Sequence, residues 1–209
     1  DSSPSRGLGD VYKRQDSLED YKGAIEDFNK AIELDPEYAF AYAHRGVSKD
    51  KLEDYKGAIE DYTKAIELDP EYAIAYHNRG VSKDKLEDYK GAIEDYTKAI
   101  ELDPNFKLAY ENRGYLKDNL NDDFGAIYDY TRSIELNPKD SSAYRSRGDA
   151  KLDLGDFYGA IYDYTRAIEI DPKDAIAYNN RCWSKYKMER YKSAPVSYTH
   201  LRAHETDYY

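Results

Sequence analysis

Five arginines recur at intervals of 34 residues: Arg45, Arg79, Arg113, Arg147 and Arg181. Each is followed four residues later by a lysine, at Lys49, Lys83, Lys117, Lys151 and Lys185. On a helix that spacing puts both cations on one face. Two chemistries are open to such a column. A ladder of planar guanidinium groups could grip a polyanionic ligand, or each fork could pair with a carboxylate in a partly buried site. Asp61, Asp95, Asp129 and Asp163 recur at the same interval. The arginines fall on the arc that should face these aspartates, so structural pairing is the expectation.

Nothing else in the chain reads as catalytic. There is no nucleophile motif, no glycine-rich phosphate loop and no carboxylate pair at a distinctive spacing, so no enzyme activity and no cofactor are expected. The single cysteine, Cys182, stands where earlier copies of the pattern have glycine. It is expected to be a small buried residue, with nucleophilic use disfavoured. His200 and His204 are four apart and followed by Glu205, a spacing suited to two metal ligands on one helix face. They lie in a segment foreign to the rest of the chain, so no metal site is expected there. His44 and His77 have no cysteine or carboxylate cluster around them in sequence.

The elements that must position these residues come from an internal repeat. Ala39 to Tyr72 reads AFAYAHRGVSKDKLEDYKGAIEDYTKAIELDPEY, and Ala73 to Phe106 reads AIAYHNRGVSKDKLEDYKGAIEDYTKAIELDPNF. These two 34-residue stretches differ at five positions: Phe40/Ile74, Ala43/His77, His44/Asn78, Glu71/Asn105 and Tyr72/Phe106. Such a period marks a stack of supersecondary units that bury their apolar faces against one another. The array covers 16–194, with a partial copy at 16–38, complete copies at 39–72, 73–106, 107–140 and 141–174, and a partial copy at 175–194. Residues 1–15 and 195–209 match no part of the unit and resemble translated adaptor sequence, so both are expected to be non-native and the array a fragment.

Each complete copy is expected to hold two helices, from about Ala39 to Leu52 and from about Tyr55 to Leu68 in the first. Asp54, Asp88, Asp122 and Asp156 are placed to cap the second helix. Pro70, Pro104, Pro138 and Pro172 stop it. At the bend, Gly155 and Asn121 suit a left-handed backbone, and Glu53 and Glu87 fill the same place less comfortably. Tyr55, Ala58, Ile59, Tyr62, Ala65 and Ile66 make one broad apolar stripe that needs neighbours on both sides. In the last copy, Tyr191 is expected to begin a second helix that breaks at Pro195.

Charge narrows the partners. With 31 Lys and Arg against 42 Asp and Glu, the net charge is −11 and no basic stripe appears, which argues against nucleic acid. No run approaches the ~18 apolar residues that would cross a bilayer. A soluble chain is expected, the cytoplasm favoured over other compartments.

The residues of the unit resemble the tetratricopeptide repeat family. Its signature reads here as Tyr42, Gly46, Ala58, Tyr62, Ala65 and Pro70. It recurs as Tyr76, Gly80, Ala92, Tyr96, Ala99, Pro104 and as Tyr144, Gly148, Ala160, Tyr164, Ala167, Pro172. The third complete copy keeps Tyr110, Gly114, Ala126, Tyr130 and Pro138 but has Ser133 for the second alanine. The resemblance implies an all-α fold of antiparallel helix pairs stacked as a right-handed solenoid, with first helices lining a concave face. On the corresponding arc lie Phe40, Ala43, Val47 and Asp50; Ile74, His77, Val81 and Asp84; Leu108, Glu111, Tyr115 and Asp118; Ser142, Arg145, Asp149 and Leu152; and Ile176, Asn179, Trp183 and Tyr186. This mixed lining suits an extended or helical peptide. The Lys–Asn pair with which some relatives grip a peptide carboxylate is absent from these helices. The expected function is a non-catalytic scaffold that binds a protein or peptide segment. The alternative is a spacer or regulatory segment of a larger enzyme, and weak self-association through exposed array ends is also open.

Overall fold

The structure is a computed structural model and describes residues 20–193. The two terminal segments read as foreign, and His200, His204 and Glu205 with them, lie outside the described residues. The chain forms two compact units that divide after Leu120. Among the described residues the first unit holds α1 (20–34), α2 (Ala39–Lys51), α3 (Tyr55–Leu68), α4 (Ala73–Lys85), α5 (Tyr89–Leu102) and α6 (Lys107–Asn119). The second holds α7 (Asp123–Leu136), α8 (Ser141–Asp153), α9 (Phe157–Ile170) and α10 (Ala175–Ser193). In the first unit α2 packs on α3, α3 on α4, α4 on α5 and α5 on α6; in the second α8 packs on both α7 and α9, and α10 on α9. This is the all-α repeat architecture expected of the sequence.

Local chemistry fixes each element. The carboxylates of Asp54, Asp88, Asp122 and Asp156 accept from the backbone N–H of Gly57, Gly91, Gly125 and Gly159, so each caps a second helix. The recurrent glycine follows from that cap. A Cβ on Gly91 would stand 2.3 Å from the Asp88 carboxylate. The bend residues Glu53, Glu87, Asn121 and Gly155 all have φ between 62° and 79°. For the two glutamates this left-handed backbone costs about 1 kcal/mol each. At the far end Asp69 is extended before Pro70, and its carboxylate accepts from the N–H of Glu71, forming the turn to the next copy.

The apolar stripe is where periodicity put it. Ala58, Tyr62 and Ala65 are fully buried, as are Ala160, Tyr164 and Ala167 in the second unit. Small residues join successive copies: Ala43, Ala65 and Ala75 form one cluster in the first unit, and Ala143, Ala167 and Ala177 belong to another in the second.

The last copy departs from expectation. Tyr191 does not begin a second helix, because α10 continues from Ala175 to Ser193 without a bend. Arg190 stands there in place of the capping aspartate, and an arginine cannot accept from the helix N-terminus. Cys182 is exposed rather than buried.

Candidate functional site

The arginine column is an internal brace. Arg79 donates from Nε and Nη2 to the two oxygens of Asp95 at 2.9 and 2.7 Å, and Lys83 Nζ reaches the same carboxylate at 2.8 Å. Arg45, Asp61 and Lys49 repeat the arrangement, as do Arg147, Asp163 and Lys151. The remaining terminal nitrogen, Nη1, reaches the preceding copy. Arg79 donates to Thr63, Arg113 to Thr97, Arg147 to Thr131 and Arg181 to Thr165, at 2.9 to 3.3 Å. Arg45 makes the equivalent bond to Asn29. Structural pairing therefore holds. The threonine column that completes the brace recurs at the same interval as the arginines, so its periodicity was a readable signal that sequence reasoning passed over.

The candidate lining residues separate into three groups. Phe40, Ile74, Leu108 and Tyr115 in the first unit are about half exposed, as is Trp183 in the second, and Asn179 is also exposed. Phe40 stacks on Tyr38 and lies tilted against His44, and Trp183 stacks on Tyr186. A shallow cavity of about 390 Å³ runs along α10 past Asn179, Cys182, Trp183 and Tyr186. Val47, Val81, Asp84 and Asp118 are half-buried, and burial raises the Asp84 carboxyl.

A second group is engaged in bonds within the array. Tyr62 and Ser82 each donate to Asp50 at 2.7 Å, linking the two helices of one copy to the first helix of the next. Burial raises the Asp50 carboxyl, and these two donors offset it. In the second unit Leu152 holds the place of Asp50, and Asp149, one turn earlier, takes over the bond. It accepts from Tyr164 at 2.7 Å and from Asn180 at 2.9 Å. Arg145 pairs with Asp174 at 2.7 Å, and Glu111 with Lys107 at 2.7 Å.

Two expected lining residues are buried instead. Ala43 packs against Ala65 and Ala75, because its position faces the next copy. His77 holds the equivalent position in α4 and is enclosed by the rings of Tyr96 and Phe106 at 5.7 and 4.8 Å. A neutral ring protonated on Nδ1 satisfies both its polar contacts: Nδ1 donates to Asn78 Oδ1 and Nε2 accepts from Asn112 Nδ2, each at 3.1 Å. Burial holds the imidazole below its ordinary value, partly offset by Asn78. The unfolded chain therefore takes up the proton first. The stabilising effect of the neutral ring is complete above the unfolded value of about 6.5 and is lost as the pH falls from there through the lowered folded value. Urea midpoints at pH 7.5 and 5.5 should drop for the wild type. They should drop less for His77→Ala, which copies the residue found in α2.

Among the described residues no group of three or more His, Cys, Asp or Glu side chains is placed to hold a metal ion, and no helix is long and apolar enough to cross a membrane.

A tetratricopeptide repeat model matches residues 73–106, and a second model of the same repeat matches 17–49, 51–83 and 148–188, together more than half of the chain. The chain belongs to the tetratricopeptide repeat (TPR) family. No curated relative matches this sequence. Among solved structures, YrrB, a TPR protein with an unusual peptide-binding site, is 28% identical with a TM-score of 0.73, over 80% of this chain and 87% of its own. MamA is 28% identical with a TM-score of 0.71, over 75% of this chain and 91% of its own. The first TPR of Spaghetti (RPAP3), solved with an HSP90 peptide SRMEEVD, is 27% identical with a TM-score of 0.54, over 56% of this chain and 93% of its own. TPR arrays of this kind are protein-interaction scaffolds, and that much carries over to this chain with its membership.

Proposed function

We propose that this TPR array binds an extended or helical peptide segment through the outward arc of its first helices and performs no chemistry of its own. The observation that carries the reading is the run of Phe40, Ile74 and Leu108 at one register position of α2, α4 and α6. All three are apolar and about half exposed, although nothing in the packing of the repeat requires an apolar residue there. Ser142 occupies the same register in α8, which demonstrates that the fold tolerates a polar side chain. Tyr115, two turns beyond Leu108 on α6, adds a fourth exposed apolar surface. Side chains at fixed intervals on rigid helices can each take one residue of a bound segment. The polar neighbours are held by bonds inside the array, so they orient a ligand without themselves needing to move. Relatives support the class of ligand: YrrB has a peptide-binding site and the RPAP3 repeat was solved with a peptide.

A peptide-array screen with the intact chain should yield a ligand whose affinity falls about tenfold or more in Leu108→Asp and Tyr115→Ala. Unchanged affinity in both variants would overturn the assignment of this face. His77 is unsuitable as a probe, since changing it would act through packing.

A further inference from the structure

A second surface lies on the second helices. At two register positions one turn apart, α1, α3 and α5 carry a lysine and a glutamate: Lys22 and Glu26, Lys56 and Glu60, Lys90 and Glu94. In α7 and α9 the same positions carry Phe124 and Tyr128, and Tyr158 and Tyr162. These four rings are 77%, 59%, 54% and 60% exposed. The comparison with α3 and α5 separates packing from binding. The same helix, with a buried alanine and tyrosine at the same registers (Ala58 and Tyr62 in α3, Ala126 and Tyr130 in α7, Ala160 and Tyr164 in α9), forms with charged residues at these positions, so the aromatic rings are not required by the fold. Large apolar side chains left exposed where the fold does not require them mark an interaction site.

We propose that the outer face of α7 and α9 binds an extended, proline-containing segment of another protein that carries a basic residue. Three observations favour this occupant. Four aromatic side chains of roughly 150–250 Å² each, exposed by half or more, present on the order of 500 Å². A stable dimer needs about 800 Å² per partner, so a second copy is under-supported, and a net charge of −11 on each chain opposes it further. The next residue along each row is an arginine, and Arg132 and Arg166 are held by Glu135 and Glu169, which leaves the rings in an electrically balanced setting. Asp123 adds an acidic group in the first turn of α7 beside Phe124. Ring faces with phenol hydroxyls suit proline rings and the unpaired carbonyls of a polyproline helix, which has no internal hydrogen bonds to give up. The acid beside them suits a lysine or arginine at one end of the segment.

The test is fluorescence anisotropy of a dye-labelled proline-rich peptide with arginines at one end, titrated with the full chain. The comparison variant combines Phe124→Lys, Tyr128→Glu, Tyr158→Lys and Tyr162→Glu, which restores the residues of α3 and α5 and so keeps a helix known to form; circular dichroism checks that it does. Saturable binding is expected, weakened about tenfold or more in the fourfold variant and unchanged in Leu108→Asp. Absence of saturable binding to the wild-type chain would overturn the proposal. So would loss of binding in Leu108→Asp with retention in the fourfold variant, or an effect of the fourfold variant confined to oligomeric state or to sedimentation with lipid vesicles. Because Leu108→Asp and the fourfold variant lie on different helices, failure of this site and failure of the first-helix site read out separately.

Discussion

Replacing Asp163 by alanine is expected to destabilise the second unit by about 3 kcal/mol, at the lower end of the range for breaking a buried ion pair. The Asp163 side chain is fully enclosed, and it accepts from Arg147 Nε at 2.9 Å, Arg147 Nη2 at 2.7 Å and Lys151 Nζ at 2.8 Å. Its removal leaves two cations without their shared counter-charge. Arg147 and Lys151 keep some contact with water, which lets them relax and holds the loss to the lower end. Arg147→Leu should cost less, about 1–2 kcal/mol, since Lys151 still neutralises Asp163 and leucine fills part of the arginine volume. Repeat arrays unfold in stages, so the measurement is amide exchange of α8 and α9 alongside urea denaturation. Equal costs for the two variants would mean that the aspartate is not the hub of the brace. An Arg147→Leu protein that kept its stability and lost a ligand would revive the anion-binding reading of the column.

That contrast explains what could be read from the sequence. The Arg–Asp pairing of the brace was legible because both columns recur at a fixed offset, so one helix geometry applied to every copy predicts the pair; the Arg–Thr bonds to the preceding copy recur as regularly but were not read. The capping aspartates, the prolines and the left-handed bend were legible for the same reason: each acts through its own backbone and a neighbour three residues away. What was not legible depends on the contact between successive copies. A helical wheel puts Ala43 and His77 on the outward arc, yet that register borders the next first helix, where Ala43 meets Ala75 and His77 meets Asn112. The exchange of Asp50 for Asp149 was hidden in another way. Column by column the second unit has lost an aspartate and gained one elsewhere, and only the shared tyrosine hydroxyl reveals them as one function in two registers. The straight course of α10 could have been anticipated from Arg190 in the cap position, a local signal outweighed by the match of Tyr191 to the start of the second helix.

The glycine of the first helix offers the sharpest test of packing between paired helices. In Gly80→Ala the new methyl would stand 2.8 Å from Cε1 and 2.9 Å from Cδ1 of Tyr96, and 3.2 Å from the Ala92 carbonyl oxygen. The Tyr96 ring is buried and packed against the His77 ring at 5.7 Å, so it cannot swing aside without displacing that ring or opening α5 from α4. Alanine would gain about 1 kcal/mol of helix propensity over glycine, against an overpacking cost of about 1–3 kcal/mol. The rigid neighbour decides the sign, and a net loss of about 1–2 kcal/mol is expected in urea denaturation. Gly91→Ala makes the informative comparison. Its methyl would meet only the carboxylate of Asp88, the far end of a side chain able to rotate. Losing that cap costs about 1 kcal/mol, close to the propensity gained, so this variant should be nearly neutral. If Gly80→Ala were neutral as well, the paired helices would have slack between them, and the fixed spacing on which the proposed first-helix binding surface depends would fail with it.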